Sequence, residues 1–249
     1  MLKALLARLK QGYRTNSFPK SIPSLPEKFC GLPDIGSFSA DQLDALNSVC
    51  PTDAFTAENS NLSLDIGKCI FCRKCEHIAK TEKLSFTKNH MLSSSERDSL
   101  KLSYENKAPV INPNKYQKLF KRSLKLRVVS AGGCNACELD LNVLNTLAWD
   151  IGRFGIQFTA SPRHADGLII IGPVTNNMKF ALQKAYNATS KPKVVIAVGT
   201  CAVSGGIYAN SPETLGGADK LFNVDLYIPG CPPHPLTILD ALLSFLGRK

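Results

Sequence analysis

The sequence predicts an α/β protein, a doubly wound parallel sheet preceded by a small, cysteine-rich α+β unit. Three observations carry this. From Leu124 onward, short apolar runs alternate with helical patterns, which is the signature of a parallel sheet covered on both faces. Before Leu124 the chain is rich in Pro, Ser and Lys, with short segments and no such alternation. Of nine cysteines, eight fall into two groups of four, one group in each half. With 249 residues and 44% hydrophobic content, the chain can build one large core or two modest ones.

Residues 1–14 read as a short amphipathic helix. Leu2, Leu5, Leu6 and Leu9 recur at helical spacing, with Lys3, Arg8 and Lys10 between them. Such a helix is too short to persist alone in water, so it needs a lipid or protein surface to lie on. Pro19, Pro23, Pro26 and Pro33 then mark an extended tether, giving 1–33 as helix and tether. The first cysteine group lies in 34–90, and 93–123 reads as the end of that unit and a linker. Residues 34–123 are thus one domain plus linker, and 124–249 the second domain.

In the second domain, strands are expected at 126–129, 156–159, 168–171, 194–198 and 226–228. Helices are expected over 139–149, 178–187 and 236–246. No run of eighteen apolar residues occurs, which argues against a membrane span. No secretory or twin-arginine signal is visible, and the Cys-x-x-Cys groups favour metal over disulfide. The expected location is therefore the cytoplasm. Net charge is +10, with 19 Lys/Arg against 12 Asp/Glu in residues 1–123. No nucleic-acid motif accompanies it, and aromatics do not interleave with a basic stripe, so the excess points to an acidic partner or lipid.

Cys69-x-x-Cys72-x-x-Cys75 is a cluster-binding run whose usual continuation, x3-Cys-Pro, is broken by Ala79. Upstream stands Cys50-Pro51, the cysteine type that ligates the other cluster in two-cluster proteins. Cys50, Cys69, Cys72 and Cys75 together complete one [4Fe–4S] set. Residues 36–49 hold no cysteine for a second. A cuboidal three-iron cluster follows if Cys50 points away. His77 reads as a surface histidine rather than a ligand, and Cys30 as a thiol without companions.

The second set is Cys134, Cys137, Cys201 and Cys231. Each follows a predicted strand and glycines: Gly132-Gly133, Gly199-Thr200, Pro229-Gly230. Open α/β sheets bind ligands in the crevice past the carboxyl ends of their strands, so distant loops converge there. Glycines permit close backbone approach, and helices beginning near Cys137 and Cys231 aim their positive ends at an anionic cluster. Four thiolates also suit structural zinc, and spacing leaves that alternative open for both sets.

Four segments carry a resemblance. They are Gly133-Cys134-Asn135-Ala136-Cys137-Glu138, Ser161-Pro162-Arg163-His164-Ala165-Asp166, Gly199-Thr200-Cys201-Ala202 and Pro229-Gly230-Cys231-Pro232-Pro233. Together they resemble the small subunit of membrane-bound, group 4 [NiFe]-hydrogenases of the formate hydrogenlyase and energy-converting type. They are also similar to the B subunit of respiratory complex I. The resemblance spans about residues 124–247. The complex I relative begins this site with adjacent cysteines, whereas Cys134-x-x-Cys137 is the hydrogenase pattern. His164, where the complex I relative usually has Gln, agrees.

The resemblance implies a flavodoxin-like sheet and a proximal [4Fe–4S] cluster on Cys134, Cys137, Cys201 and Cys231. It implies a Ni–Fe centre on a separate large subunit, further ferredoxin-like subunits and integral membrane subunits as partners, and a site peripheral to the cytoplasmic membrane. Glu138 corresponds to a proton-path carboxylate facing the large subunit, or else caps its helix. The first set resembles a ferredoxin reduced to one cluster, giving two [4Fe–4S] clusters in all. Arg163, His164 and Asp166 read equally as interface residues and as a loop network. Trp149 and Phe154 read as core.

Overall fold

A computed structural model describes residues 2–36, 42–58, 61–79, 84–112 and 116–249. The chain opens with α1 (Leu2–Gln11), which stops at Gly12 in the left-handed conformation (φ +63°). No residue of α1 is buried. Met1 lies outside the described residues.

The N-terminal half follows the order β1 (Pro33–Ile35), α2 (Leu43–Val49), β2 (Phe55–Glu58), β3 (Asn61–Asp65), α3 (Lys74–Ala79), β4 (Leu84–Phe86) and β5 (Lys101–Ser103). β1 pairs antiparallel with β4, and β2, β3 and β5 form an antiparallel sheet. After the short α4 (Gln117–Phe120) come β6 (Leu124–Ser130), α5 (Ala136–Val143), β7 (Ile156–Phe158), β8 (Gly167–Ile171), α6 (Asn176–Ala188), β9 (Val194–Val198), α7 (Thr200–Ser204), β10 (Leu226–Ile228) and α8 (Pro235–Phe245).

The five C-terminal strands form one parallel sheet in the order β10-β9-β8-β6-β7. Numbered within the sheet and read from the β7 edge, this is 2-1-3-4-5, the flavodoxin-like doubly wound order. The expected α/β class and parallel sheet are therefore present. β8 and β9 are buried at every position, which suits their Leu-Ile-Ile-Ile and Val-Val-Ile-Ala-Val runs.

The pleat sends alternate side chains to opposite faces. Leu126, Ile169, Ile171, Ile196 and Ile228 meet α5 and α8 on one face. Leu168, Ile170, Val195 and Ala197 meet Leu182 of α6 and Val203 of α7 on the other. That second core continues without a break into Leu64, Ile66, Leu100 and Leu102 of the N-terminal half.

One expectation needs correction. The helix expected over 139–149 is α5, which ends at Val143 and gives way to tight turns closed by the Thr146 hydroxyl on the Val143 carbonyl (2.7 Å). Residues 93–123, expected as the end of the first unit and a linker, pack against both halves. Ser94 exchanges backbone hydrogen bonds with Tyr227 of β10 (3.1 and 2.8 Å), and β5 completes the β2–β3 sheet. The Pro-rich tether is docked as well. Phe18 is buried in the α8-side core, and Arg153 donates to its carbonyl (2.9 Å).

α8 is apolar on nearly every side and buried at ten of its eleven positions. Its one carboxylate, Asp240, is 4% exposed and takes His90 Nε2 at 3.3 Å and the Lys249 ammonium on the same oxygen. A buried hydrogen bond between His90 and Asp240 thus ties residue 90, from the N-terminal half, to the heart of the C-terminal one.

Candidate iron–sulfur sites

All four cysteines of the second set lie at the carboxyl end of the parallel sheet. Cys134 and Cys137 follow β6, Cys201 sits in the first turn of α7 after β9, and Cys231 follows β10. Each of Cys134, Cys201 and Cys231 contributes to the electrostatic field at Cys137, so the four thiols are neighbours. Gly199 has φ +88°, and a Cβ there would stand 2.5 Å from Cys137 Sγ. At Gly206 a Cβ would stand 3.1 Å from Cys201 Sγ. Glycine therefore keeps the space around two sulfurs clear, the cradle a bulky inorganic cluster requires.

Burial, and then the neighbouring thiols, push the Cys137 thiol far above its ordinary value. The same causes bring Cys201 to about 11. Four thiolates packed this closely are stable with cationic iron among them, so loading must release protons. Four thiols are the donor set of a cubane or of a single zinc ion.

The first set also converges. One cavity is lined by Cys50, Cys69, Cys72 and Cys75. Cys50 is thus turned into the site, against the three-iron alternative. The Ala54 amide donates to Cys50 Sγ (3.4 Å) and the Phe71 amide to Cys69 Sγ (3.3 Å), the N–H···S contacts that tune a cluster's potential. Burial holds Cys69 well above the usual thiol range and brings Cys75 to about 11. The loop entering the run is fixed from the segment expected to be linker. Arg97 forks onto both oxygens of buried Asp65 (2.9 and 2.7 Å), and Asp65 accepts the Gly67 amide (2.8 Å).

The two sites have different carboxylate neighbours. Glu76, beside Cys75, is saturated: Arg73 Nε donates to one oxygen (2.6 Å) and the Phe86 amide to the other (2.7 Å). Glu138, beside Cys137, receives the Ser130 hydroxyl on Oε1, while Oε2 is buried with no hydrogen-bond partner among the described residues.

Other expectations divide. Cys30 has companions after all, because Cys72, Cys75, Arg73 and Glu76 all act on it, and burial raises its thiol to about 12. It lines a cavity shared by Ile70 and Phe71 of one half and Asp140, Cys231 and His234 of the other. His77 is exposed on α3, as expected. Asp166 is structural: it accepts the Lys125 amide at the amino end of β6 (2.7 Å), away from the ligand loops. Arg163 and His164 are both exposed. Trp149 is buried edge-on to His234, as a core residue should be.

Residues 134–245 match the NADH ubiquinone oxidoreductase 20 kDa subunit family. A probable membrane-bound hydrogenase subunit of Pyrococcus furiosus is 39% identical over 120 residues, covering 48% of this chain and 72% of that relative. The chain belongs to this family. Formate hydrogenlyase subunit 7 of Escherichia coli is 42% identical over 130 residues, 52% of this chain and 51% of the relative. The B subunit of the NADH-quinone oxidoreductase of Saccharopolyspora erythraea is 41% identical over 120 residues, 48% of this chain and 54% of the relative. The chain thus spans about half the length of these last two, and each relative accounts for about half of the chain. The relatives are subunits of hydrogenase and respiratory oxidoreductase complexes. No helix among the described residues is long and apolar enough to cross a membrane.

Proposed function

We propose that this chain is the electron-transfer small subunit of a membrane-associated [NiFe]-hydrogenase complex. It relays electrons between the Ni–Fe centre of a separate large subunit and other iron–sulfur subunits, through two [4Fe–4S] clusters. The observation that carries this is the convergence of two four-thiol sets in one fold, the second set at the carboxyl end of a doubly wound sheet. When bound, the clusters supply one-electron chemistry. The chain's own residues hold them, exclude water from the buried thiols and aim backbone N–H groups at sulfur.

The division of labour follows exposure. Cys134 and Cys231 lie at the surface of the strand-end site, with Glu138 beside them, and this face suits the large subunit. Glu138 Oε2 is the atom from which a proton passes to or from that partner. Cys72 is the exposed ligand of the first site and suits a further ferredoxin-like subunit. The order β1-α2-β2-β3-α3-β4, with Cys50-Pro51 ahead of the β2–β3 hairpin, supports reading residues 34–123 as a ferredoxin-like unit that keeps one cluster of two. The basic, apolar-faced α1 supports peripheral attachment to integral membrane subunits or lipid.

Purification of the assembly tests this. The reading expects nickel, hydrogen-dependent reduction, about eight iron atoms per copy of this chain and two reducible EPR signals. A second reading, a quinone-coupled complex I-like subunit, is favoured by the 41% identity to the NADH-quinone oxidoreductase relative. A nickel-free assembly with bound quinone would establish that reading instead. A colourless, zinc-loaded chain would defeat both.

A further inference from the structure

The two cysteine sites meet at one buried hydroxyl. Thr200 is 1% exposed and directly precedes Cys201. Its Oγ1 donates to the backbone carbonyl of Cys69 at 2.8 Å. The same oxygen lies 3.2 Å from the Gly230 carbonyl and accepts the Gly230 amide at 3.4 Å. The Thr200 amide donates to the Gly230 carbonyl at 2.8 Å. One side chain therefore contacts a ligand residue of the first site, adjoins a ligand of the second and contacts the neighbour of another, Cys231.

A turn of α7 further on, the Ser204 hydroxyl donates to the Gly67 carbonyl (2.9 Å) and lies 3.2 Å from the Thr200 carbonyl. At Gly67 a Cβ would stand 2.9 Å from a methyl of Val203, so that loop can approach α7 only because it lacks a side chain there. The contact is built from both sides.

We propose that Thr200 is the positioning residue that latches the 67–75 ligand loop onto α7 and completes a continuous route between the two sites. The route runs from the Cys69 backbone, across one hydrogen bond, through Thr200 to the Cys201 backbone. This rests on the two-cluster reading above. A single electron passes from a reduced iron–sulfur cluster to an oxidised one, with no bond made or broken. Threonine suits the position. Its hydroxyl donates to one carbonyl while accepting the Gly230 amide, and its β-branch restricts the rotamer that does both. Burial shields the bond from competing water.

The test compares Thr200→Val, which keeps the shape without the hydroxyl, with Thr200→Ser, which keeps the hydroxyl, in the full chain. Amide exchange across residues 67–75, measured on cluster-loaded and on metal-free chain, reads the latch. In Thr200→Val it should accelerate about tenfold, because a buried carbonyl loses its donor, and Thr200→Ser should restore it. In loaded chain, electron exchange between the sites after photoreduction should slow several-fold in Thr200→Val, with iron content unchanged, and recover in Thr200→Ser. Unchanged amide exchange in Thr200→Val overturns the latch. Accelerated amide exchange with an unchanged electron rate overturns the route. If wild-type chain holds iron at one site, the two-cluster reading fails, while amide exchange still decides the latch.

Discussion

The two cysteine sites are built in opposite ways. Three ligands of the first, Cys69, Cys72 and Cys75, come from a single stretch of chain, and Cys50 joins them across one hairpin. The ligands of the second come from three loops far apart in sequence and meet because the sheet places all three at one end. The first is a local site held by side chains from elsewhere, Arg97 on Asp65 above all. The second is a tertiary site with no existence apart from the sheet. Their carboxylates differ in the same spirit. Glu76 is saturated and structural, whereas Glu138 keeps one buried oxygen without a partner among the described residues.

Ligand removal should break the comparison most completely. Cys231→Ser is expected to abolish hydrogen-driven reduction of both sites, because in the proposed wire the strand-end cluster would stand between the large subunit and the rest. Cys50→Ser should leave the strand-end signal reducible by hydrogen while the first is lost. In each variant iron falls by about half, from about eight. Equal loss of hydrogen reactivity in the two variants would contradict the order of the wire.

The carboxylates come next. Glu138→Gln should slow hydrogen turnover about 100-fold, at the low end for loss of a positioned proton-transfer group, without loss of iron. Glu76→Gln should leave turnover intact and lower the urea midpoint, since Arg73 loses a charged partner. Turnover assays alongside denaturation separate the two roles, and a reversed pattern would exchange them.

Asp240→Ala tests how far the halves are one structure. It leaves buried His90 without its partner beside a gap and should cost about 2 kcal/mol in urea unfolding. A single shared transition should persist, because the core runs continuously from Leu64 and Leu102 to Val195 and Leu182. Two resolved transitions would show that the halves unfold separately.

Alkaline pH gives a smaller effect. In metal-free chain, burial raises Cys75 and Cys201 from 9.0 to about 11. The folded state thus holds protons that the unfolded chain releases above about pH 9. The stability they contribute is complete well below that pH and is lost as pH rises toward about 11. Urea midpoints taken across this range should fall in metal-free chain and stay flat in loaded chain, whose thiolates no longer titrate. The smallest effect belongs to α1. Replacing Leu5 and Leu6 by Ser should weaken flotation with anionic vesicles about tenfold and leave the urea midpoint unchanged, because neither residue is buried.

Much of the site was legible in one dimension. The runs 168–171 and 194–198 could be little but buried strands, and glycine-flanked cysteines after three of the strands pointed to one end of the sheet. Cys30 was not legible. It lies far from the other cysteines in sequence, and backbone pairing of residues 31–35 with 84–89 brings its segment beside Cys72 and Cys75. The segment 93–123 reads as the end of a unit and a linker because it begins with Ser93-Ser94-Ser95 and ends in a basic stretch. Its hold on the fold comes from backbone pairing with β3 and β10 and from one arginine, none of which leaves a compositional trace.

Residue type and local periodicity were enough to dictate the chemistry: eight thiols in two sets of four, a parallel sheet to gather the second, and glycines where sulfur needs room. Those signals act over a few residues at a time. Packing alone placed the two sets in one body, brought Asp240 to His90 across the halves, and carried the Thr200 hydroxyl to the Cys69 carbonyl. Contacts of that kind depend on where the packed core sets distant backbone atoms, and burial fixes that placement once the whole chain has folded.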